Sequence, residues 1–150
     1  MKIIALTGGS GSGKSTILSE IRDYFGDDVS VLSLDDYYRP ITEIPLDDKG
    51  ETNFDLPNAI KYDDLVRDIQ ALQRGEMVEI ETYTFNRDLM TSECLQITPT
   101  HWLIVEGLFS LHDSRVRKMI DIKVFISASV ETRLNRRKYR DLTIRGYNNR

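Results

Sequence analysis

Gly8-Gly9-Ser10-Gly11-Ser12-Gly13-Lys14-Ser15-Thr16 is the stretch on which the reading of this chain turns. It fits the pattern G-x-x-x-x-G-K-[ST], in which glycines let backbone N–H groups curl around an anion. Ile3-Ile4-Ala5-Leu6 precedes it, a short apolar run of the kind that forms a strand buried on both faces. Ile17, Leu18, Ile21 and Phe25 follow at helical spacing. The loop therefore joins a strand to a helix, the setting the pattern requires, and the helix N-terminus adds partial positive charge. Lys14 is expected to reach the β- and γ-phosphates of a nucleoside triphosphate, and Ser15 to offer its hydroxyl to Mg²⁺. All nine residues, Gly8, Gly9, Ser10, Gly11, Ser12, Gly13, Lys14, Ser15 and Thr16, count as the nucleotide-binding element. The motif does not say where the γ-phosphate goes.

With 150 residues the chain is long enough for one domain with a real core. A hydrophobic share of 40% and a charged share of 29% are ordinary for a soluble globular protein. The net charge of -4 argues against a nucleic-acid-binding surface. Cys94 stands alone, so no internal disulfide forms, which fits a reducing cytoplasm. The sequence enters a strand at once and has no apolar run of membrane-spanning length, so neither a signal peptide nor a membrane association is expected.

Gly26 reads as the stop of the first helix, and Val29, Val31, Leu32 and Leu34 as a second strand ending in Asp35-Asp36-Tyr37-Tyr38. Strand, helix, strand implies a right-handed crossover and a parallel pair. Pro40, Pro45 and Pro57 mark a long loop, and loops of that length in compact domains are usually functional or disordered. Leu65, Ile69 and Leu72 then predict a helix, capped by Asn58 or Asp63 and closed by Gly75. Val78 and Ile80, running on to Tyr83 and Phe85, and Cys94, Leu95 and Ile97 predict a β-hairpin with a polar tip from Asn86 to Glu93. Trp102-Leu103-Ile104-Val105 is another buried strand, ending in Glu106-Gly107. A short helix near Ser114–Met119 leads to a fourth strand, in which Ile120, Ile122, Val124 and Ile126 alternate. Ser127 or Ser129 caps a last helix. The fold class is α/β: a parallel sheet flanked by helices, with a hairpin flap at the substrate end.

Ligands of such sheets bind beyond the carboxyl ends of the strands. The phosphate loop, Asp35-Asp36 and Glu106 all lie at such ends. Mg²⁺ takes one or two carboxylates together with phosphate oxygens, so Ser15 and Glu106 form its natural pair, with Asp35 near enough to help. Transfer to an alcohol wants a carboxylate to accept the hydroxyl proton, and Asp35 is the candidate base. Asp36 is set aside because neighbours on a strand face opposite ways. Arg133, Arg137 and Arg140 share one helical face, with Arg145 just beyond, as in a lid over phosphates. His101, His112, Cys94 and Trp102 read as structural, the last two as hairpin and core packing.

Several segments occur together in one order. They are the loop, Leu34-Asp35-Asp36-Tyr37-Tyr38, Asn53-Phe54-Asp55-Leu56-Pro57, Tyr83-Thr84-Phe85, Val105-Glu106-Gly107-Leu108, and Thr132-Arg133-Leu134-Asn135-Arg136-Arg137-Lys138-Tyr139-Arg140-Asp141. In this the sequence resembles the uridine kinases, which stand with phosphoribulokinases and type I pantothenate kinases in one superfamily. The resemblance implies a cytoplasmic single-domain P-loop kinase. It would move the γ-phosphate of ATP or GTP, with Mg²⁺, to the 5′-hydroxyl of uridine or cytidine in pyrimidine salvage. By the same resemblance Asp35 and Lys14 are the catalytic pair. Asp55 holds the ribose hydroxyls, and Tyr38, Tyr83 and Phe85 wall the nucleoside pocket. Arg137, Arg140 and Arg145 face the phosphates, and Ser15, Asp35 and Glu106 hold the metal. Tetramers are common among such proteins, so a homo-oligomer is also implied.

Three features depart from the pattern. Uridine kinases usually carry a histidine and an arginine after Tyr-x-Phe, whereas here the run is Asn86-Arg87-Asp88-Leu89. Arg145-Gly146-Tyr147 stands where the family has Arg-Gly-Arg. The family also continues with another helix, a last parallel strand and part of the adenine site, so this is either a piece of a longer chain or a short relative. The base preference stays open. So do two rival readings: a kinase of the superfamily acting on pantothenate, a sugar phosphate or nicotinamide riboside, and a nucleotide-binding module that transfers nothing.

Overall fold

Ile3-Ile4-Ala5-Leu6 and Leu103-Ile104-Val105 are apolar at every position, as strands covered on both faces must be, and the fold pairs them. A computed structural model describes residues 1–83 and 93–143, the last four of these as backbone only. In chain order the elements are β1 (Lys2–Thr7), α1 (Lys14–Phe25), β2 (Val29–Ser33), α2 (Tyr62–Gln73), β3 (Val78–Glu81), β4 (Cys94–Ile97), β5 (Trp102–Glu106), α3 (Ser114–Met119), β6 (Ile122–Phe125) and α4 (Val130–Thr143). The main sheet is parallel, in the order β2-β5-β1-β6. β3 and β4 form a separate antiparallel hairpin, Val78 opposite Ile97 and Glu81 opposite Cys94.

This order positions the site. β5 lies between β1 and β2, so Glu106 at its end is in register with Leu6 on one side and Ser33 on the other. The segments leaving β1, β2 and β5 therefore share one edge of the sheet. Successive side chains on a strand face opposite ways. Ile3, Ala5, Leu103 and Val105 belong to a core with Leu65, Ile69 and Leu72 of α2 and Val116 of α3. Leu6 and Ile104, also fully buried, take the opposite face. Ile17, Leu18, Ile21 and Phe25 of α1 are only half-buried. Ile122 and Phe125 of β6 and Val130 and Leu134 of α4 are exposed. Among the described residues no helix is long and apolar enough to cross a membrane.

One buried polar contact locks α2 to the segment after β2. Tyr37 Oη donates to Asp68 Oδ2 at 2.9 Å, and Arg67 Nε donates to the other carboxylate oxygen at 3.0 Å. Burial first, and the Asp68 charge second, hold the Tyr37 hydroxyl well above its ordinary pKa, so it stays a donor. Tyr37→Phe leaves a buried carboxylate oxygen unmatched, and the expected loss is about 1–3 kcal/mol of stability. Urea unfolding checks this as a lower midpoint at unchanged slope.

The fold departs from expectation at several boundaries. β2 stops at Ser33, where its pairing with β5 ends, and Leu34–Tyr37 turns into a short 3₁₀ helix. Ser33 Oγ accepts the Asp35 N–H at 3.4 Å at the start of that turn. α2 begins at Tyr62 with no side-chain cap; Asn58 lies in a separate 3₁₀ turn and Asp63 in the helix's first turn. Ile120 and Ile126 fall outside β6; the main-chain N–H of Ile126 still donates to Thr7. Cys94 sits on the hairpin exposed rather than packed, while Trp102 is half-buried against Phe25. The Ser129 cap forms, its Oγ accepting the Thr132 N–H at 3.2 Å. The expected hairpin tip lies mostly outside the described residues.

Candidate active site

The phosphate loop leaves β1 at Thr7 and closes into α1 at Lys14. The first part of the loop passes close to the end of β6. A Cβ on Gly8 would overlap the Ile126 carbonyl oxygen, so only glycine fits there. Ser10, Gly11, Gly13, Lys14, Ser15 and Thr16 line a cavity of about 840 Å³. Gly8, Gly9 and Ser12 do not line it. Lys14 Nζ donates to the carbonyls of Gly8 at 2.9 Å and Gly9 at 3.4 Å, holding its charge at the loop.

Asp35 and Glu106 line the same cavity. The 3₁₀ turn, rather than a strand, presents Asp35 there. Its neighbour Asp36 is directed elsewhere, accepting the main-chain N–H of Tyr83 at 3.2 Å and so tying the base of the hairpin to this turn. Burial raises the Asp36 carboxyl above its ordinary range, partly offset by that hydrogen bond. Glu106 is half-buried, and its Oε1 accepts Ser33 Oγ at 2.6 Å. Burial lifts its carboxyl above the usual value, the Ser33 bond opposes this, and the Asp35 charge adds to it.

The far wall comes from the long loop. Asp47, Glu51, Thr52, Asn53, Phe54 and Asp55 line the cavity together with Tyr38. Asp47 Oδ1 accepts the N–H groups of Lys49 and Glu51, both at 2.9 Å. These bonds, that from Glu51 first, hold its carboxyl below the ordinary range. Tyr38, Phe54 and Tyr83 form an aromatic group, with ring centroids 5.2 Å apart for Tyr38–Phe54 and 5.5 Å for Tyr38–Tyr83. Tyr83 backs this group without lining the cavity. Asp55 faces α4, its Oδ2 lying 4.0 Å from Arg137 Nη1.

From α4, Arg136 and Arg137 reach the cavity. Arg140 is on α4, with its side chain outside the described atoms, and Phe85 and Arg145 lie outside the described residues. Sequence reasoning missed Arg136, which stands beside Arg137 but off the face counted there. It also missed Asp36 as the anchor of the hairpin and Ser33 as the partner of Glu106. The doubled Asp35-Asp36 and Arg136-Arg137 were the available signals. His101 supplies its carbonyl to the Lys2 N–H, and the His112 ring lies 6.1 Å from that of Tyr62, both away from the cavity.

A parallel sheet whose interior strand runs into a phosphate loop, with carboxylates at the ends of adjoining segments, belongs to the P-loop kinases. Residues 3–150 match the family model described as Phosphoribulokinase / Uridine kinase family, and this chain belongs to that family. It is 35% identical to a uridine kinase of Clostridium perfringens over 95% of this chain and 69% of that one. It is 36% identical to a uridine kinase of Geobacillus kaustophilus over 96% and 69% of the two chains. Among solved structures, a possible uridine kinase from Bacillus stearothermophilus shares the fold, with a TM-score of 0.67 and 16% identity over 95% of this chain and 82% of that one. A putative fructose transport system kinase from Silicibacter matches with a TM-score of 0.69 and 20% identity over 98% and 74%.

Proposed function

We propose that this kinase transfers the γ-phosphate of ATP or GTP to the 5′-hydroxyl of uridine or cytidine. The observation that carries the proposal is the single cavity shared by the phosphate loop, Asp35, Asp55 and the aromatic wall. A hydroxyl bound against Tyr38 and Phe54 would meet Asp35, which takes its proton as the oxygen attacks phosphorus. Lys14 would exchange the Gly8 and Gly9 carbonyls for phosphate oxygens, and Arg136 and Arg137 would neutralise charge spreading over the transferred group. Asp55 would accept the ribose hydroxyls once its contact with Arg137 opens. The aromatic wall suits a pyrimidine.

The donor set fits Mg²⁺. Ser15 Oγ and the Glu106 carboxylate are hard oxygen donors, with Asp35 a third in the same cavity. Among the described residues no group of three or more carboxylate, histidine or cysteine side chains could hold a metal by itself, so phosphate oxygens and water would have to complete the ion's shell. Held by Ser15 and Glu106, Mg²⁺ would supply positive charge that offsets the charge on the phosphates.

ATP consumption with Mg²⁺ tests the proposal against uridine, cytidine, adenosine, nicotinamide riboside, pantothenate, ribulose 5-phosphate and no acceptor. Turnover confined to uridine and cytidine is the expected result. Turnover with another alcohol keeps the mechanism and moves the substrate, an outcome that the Asn86-Arg87 run in place of histidine and arginine holds open. No turnover with any acceptor, despite ATP binding, would leave a missing C-terminal part or a non-catalytic nucleotide-binding role, and the same assay on the longest open reading frame would decide between them.

A further inference from the structure

The outer side of the phosphate loop is covered by the start of α4. A Cβ on Gly9 would overlap the guanidinium of Arg133, and one on Gly11 would stand 2.6 Å from the Arg133 carbonyl oxygen. One turn on, Arg136 Nη1 donates to the carbonyls of Gly11 at 3.3 Å and Ser12 at 3.4 Å. A trans peptide points its N–H away from its C=O. Fixing the Ser12 carbonyl on the helix side therefore aims the Gly13 N–H the opposite way, and Gly13 lines the cavity.

Buried polar side-chain atoms in folded proteins almost always find a partner. Two among the described residues do not, Ser12 Oγ and Arg133 Nε. Both belong to this seam between loop and helix. Ser12 is 5% exposed, and a Cβ on Gly8 would lie 2.8 Å from its hydroxyl oxygen. An arginine that only solvated a helix face would keep Nε in water. Arg133 instead lays its guanidinium against Gly9, where an added Cβ would have to push it aside.

We propose that Arg133 is a positioning residue for the phosphate loop: its guanidinium braces the loop at Gly9, and its backbone at Gly11, so that the loop N–H groups keep their anion-binding curl. It does not line the cavity, so it acts through the loop and not on the phosphates. It also ties the loop to α4, so the loop and the arginines at 136 and 137 are set as one unit. The inference rests on the nucleotide-binding reading of the loop and is independent of which alcohol accepts the phosphate.

Equilibrium titration of the purified chain with a fluorescent ATP analogue and Mg²⁺ tests it. The set is the unsubstituted chain, Arg133→Ala, Arg133→Lys, Gly9→Ala and the Gly9→Ala/Arg133→Ala double variant. Arg133→Ala is expected to weaken affinity about tenfold or more, and Arg133→Lys to recover part of the loss. Gly9→Ala should weaken binding by itself yet add less than about twofold in the Arg133→Ala background, since the group it displaces is gone. Thermal unfolding of the ligand-free chains should show the same non-additivity, which keeps the geometric link testable without a nucleotide. Arg133→Ala binding as tightly as the unsubstituted chain would overturn the proposal, as would single losses that simply multiply. An unsubstituted chain that does not bind the analogue would overturn the nucleotide-binding reading as well, an outcome distinct from equal binding by all variants.

Discussion

Asp35→Asn should lower turnover by about 10²–10⁴-fold while nucleotide affinity stays within about twofold. The substitution keeps the shape of the side chain and removes its ability to take a proton. Asp35 stands on a turn that is held from both sides. Ser33 Oγ meets its N–H, and Tyr37, two residues on, is anchored through its hydroxyl to Asp68. The backbone should therefore stay in place when the side chain changes. The loop's own contacts with the nucleotide are untouched by the substitution, so ATP titration without Mg²⁺, which leaves out Asp35 as a metal donor, serves as the control. Full turnover in Asp35→Asn would remove Asp35 as the base and turn attention to Glu106, the carboxylate at the end of the adjoining strand in the same cavity.

Glu106→Gln is expected to act in opposite directions on stability and on catalysis. Burial lifts the Glu106 carboxyl above its ordinary value of 4.5, so within the window above that value the folded chain holds a proton that the unfolded chain has released. Where the folded state binds more protons, stability falls as pH rises. The anion at neutral pH is thus a burden on the ligand-free fold. Gln removes that burden and can still accept the Ser33 hydroxyl that now reaches Oε1. The thermal midpoint of Glu106→Gln should exceed that of the unsubstituted chain at neutral pH, and the gap should close as pH falls through the window. Metal binding needs the anion, so the apparent affinity for Mg²⁺ in the unsubstituted chain should rise across the same window. The variant should lose at least about tenfold in activity and show a flatter pH dependence of its magnesium requirement. A variant that is less stable and equally active would exclude Glu106 as a metal ligand.

The fold was legible where one physical demand acted alone. A run apolar at every position, as in Ile3–Leu6 or Trp102–Val105, can only be a strand or helix segment buried all round, and its length and flanks chose strand. The boundary after β2 was not legible, because Leu34 is as apolar as a strand residue and is fully buried in the turn that follows. What ends the strand is the last rung of its pairing with β5, a contact some 70 residues away in sequence. The same turn undid the argument that set Asp36 aside. Asp35 and Asp36 part company through 3₁₀ geometry and the hold of Tyr83, not through strand alternation. Of the candidate site, the residues fixed by motif or strand end could be named in advance, and Lys14, Ser15, Asp35 and Glu106 line one cavity. The arginines were harder. Periodicity finds a face on α4 but not the rotation of that face about the phosphate loop, and that rotation brings Arg136 to the Gly11 and Ser12 carbonyls.

The strand order also fixes a timetable for folding. Among the described residues β1 pairs only with β5 and β6, with Ile4 opposite Ile104 and Ile122, and β2 pairs only with β5. No rung of the main sheet can close until β5 has been made. Synthesis at about 5–20 residues per second leaves the first strand waiting for about 5–20 s. Contacts so distant in sequence also slow refolding, because loop closure is costly before any pairing rewards it. The β3–β4 hairpin needs only its own neighbourhood and can form earlier. The phosphate loop, translated well before β5, is thus among the last segments to acquire its supporting strands.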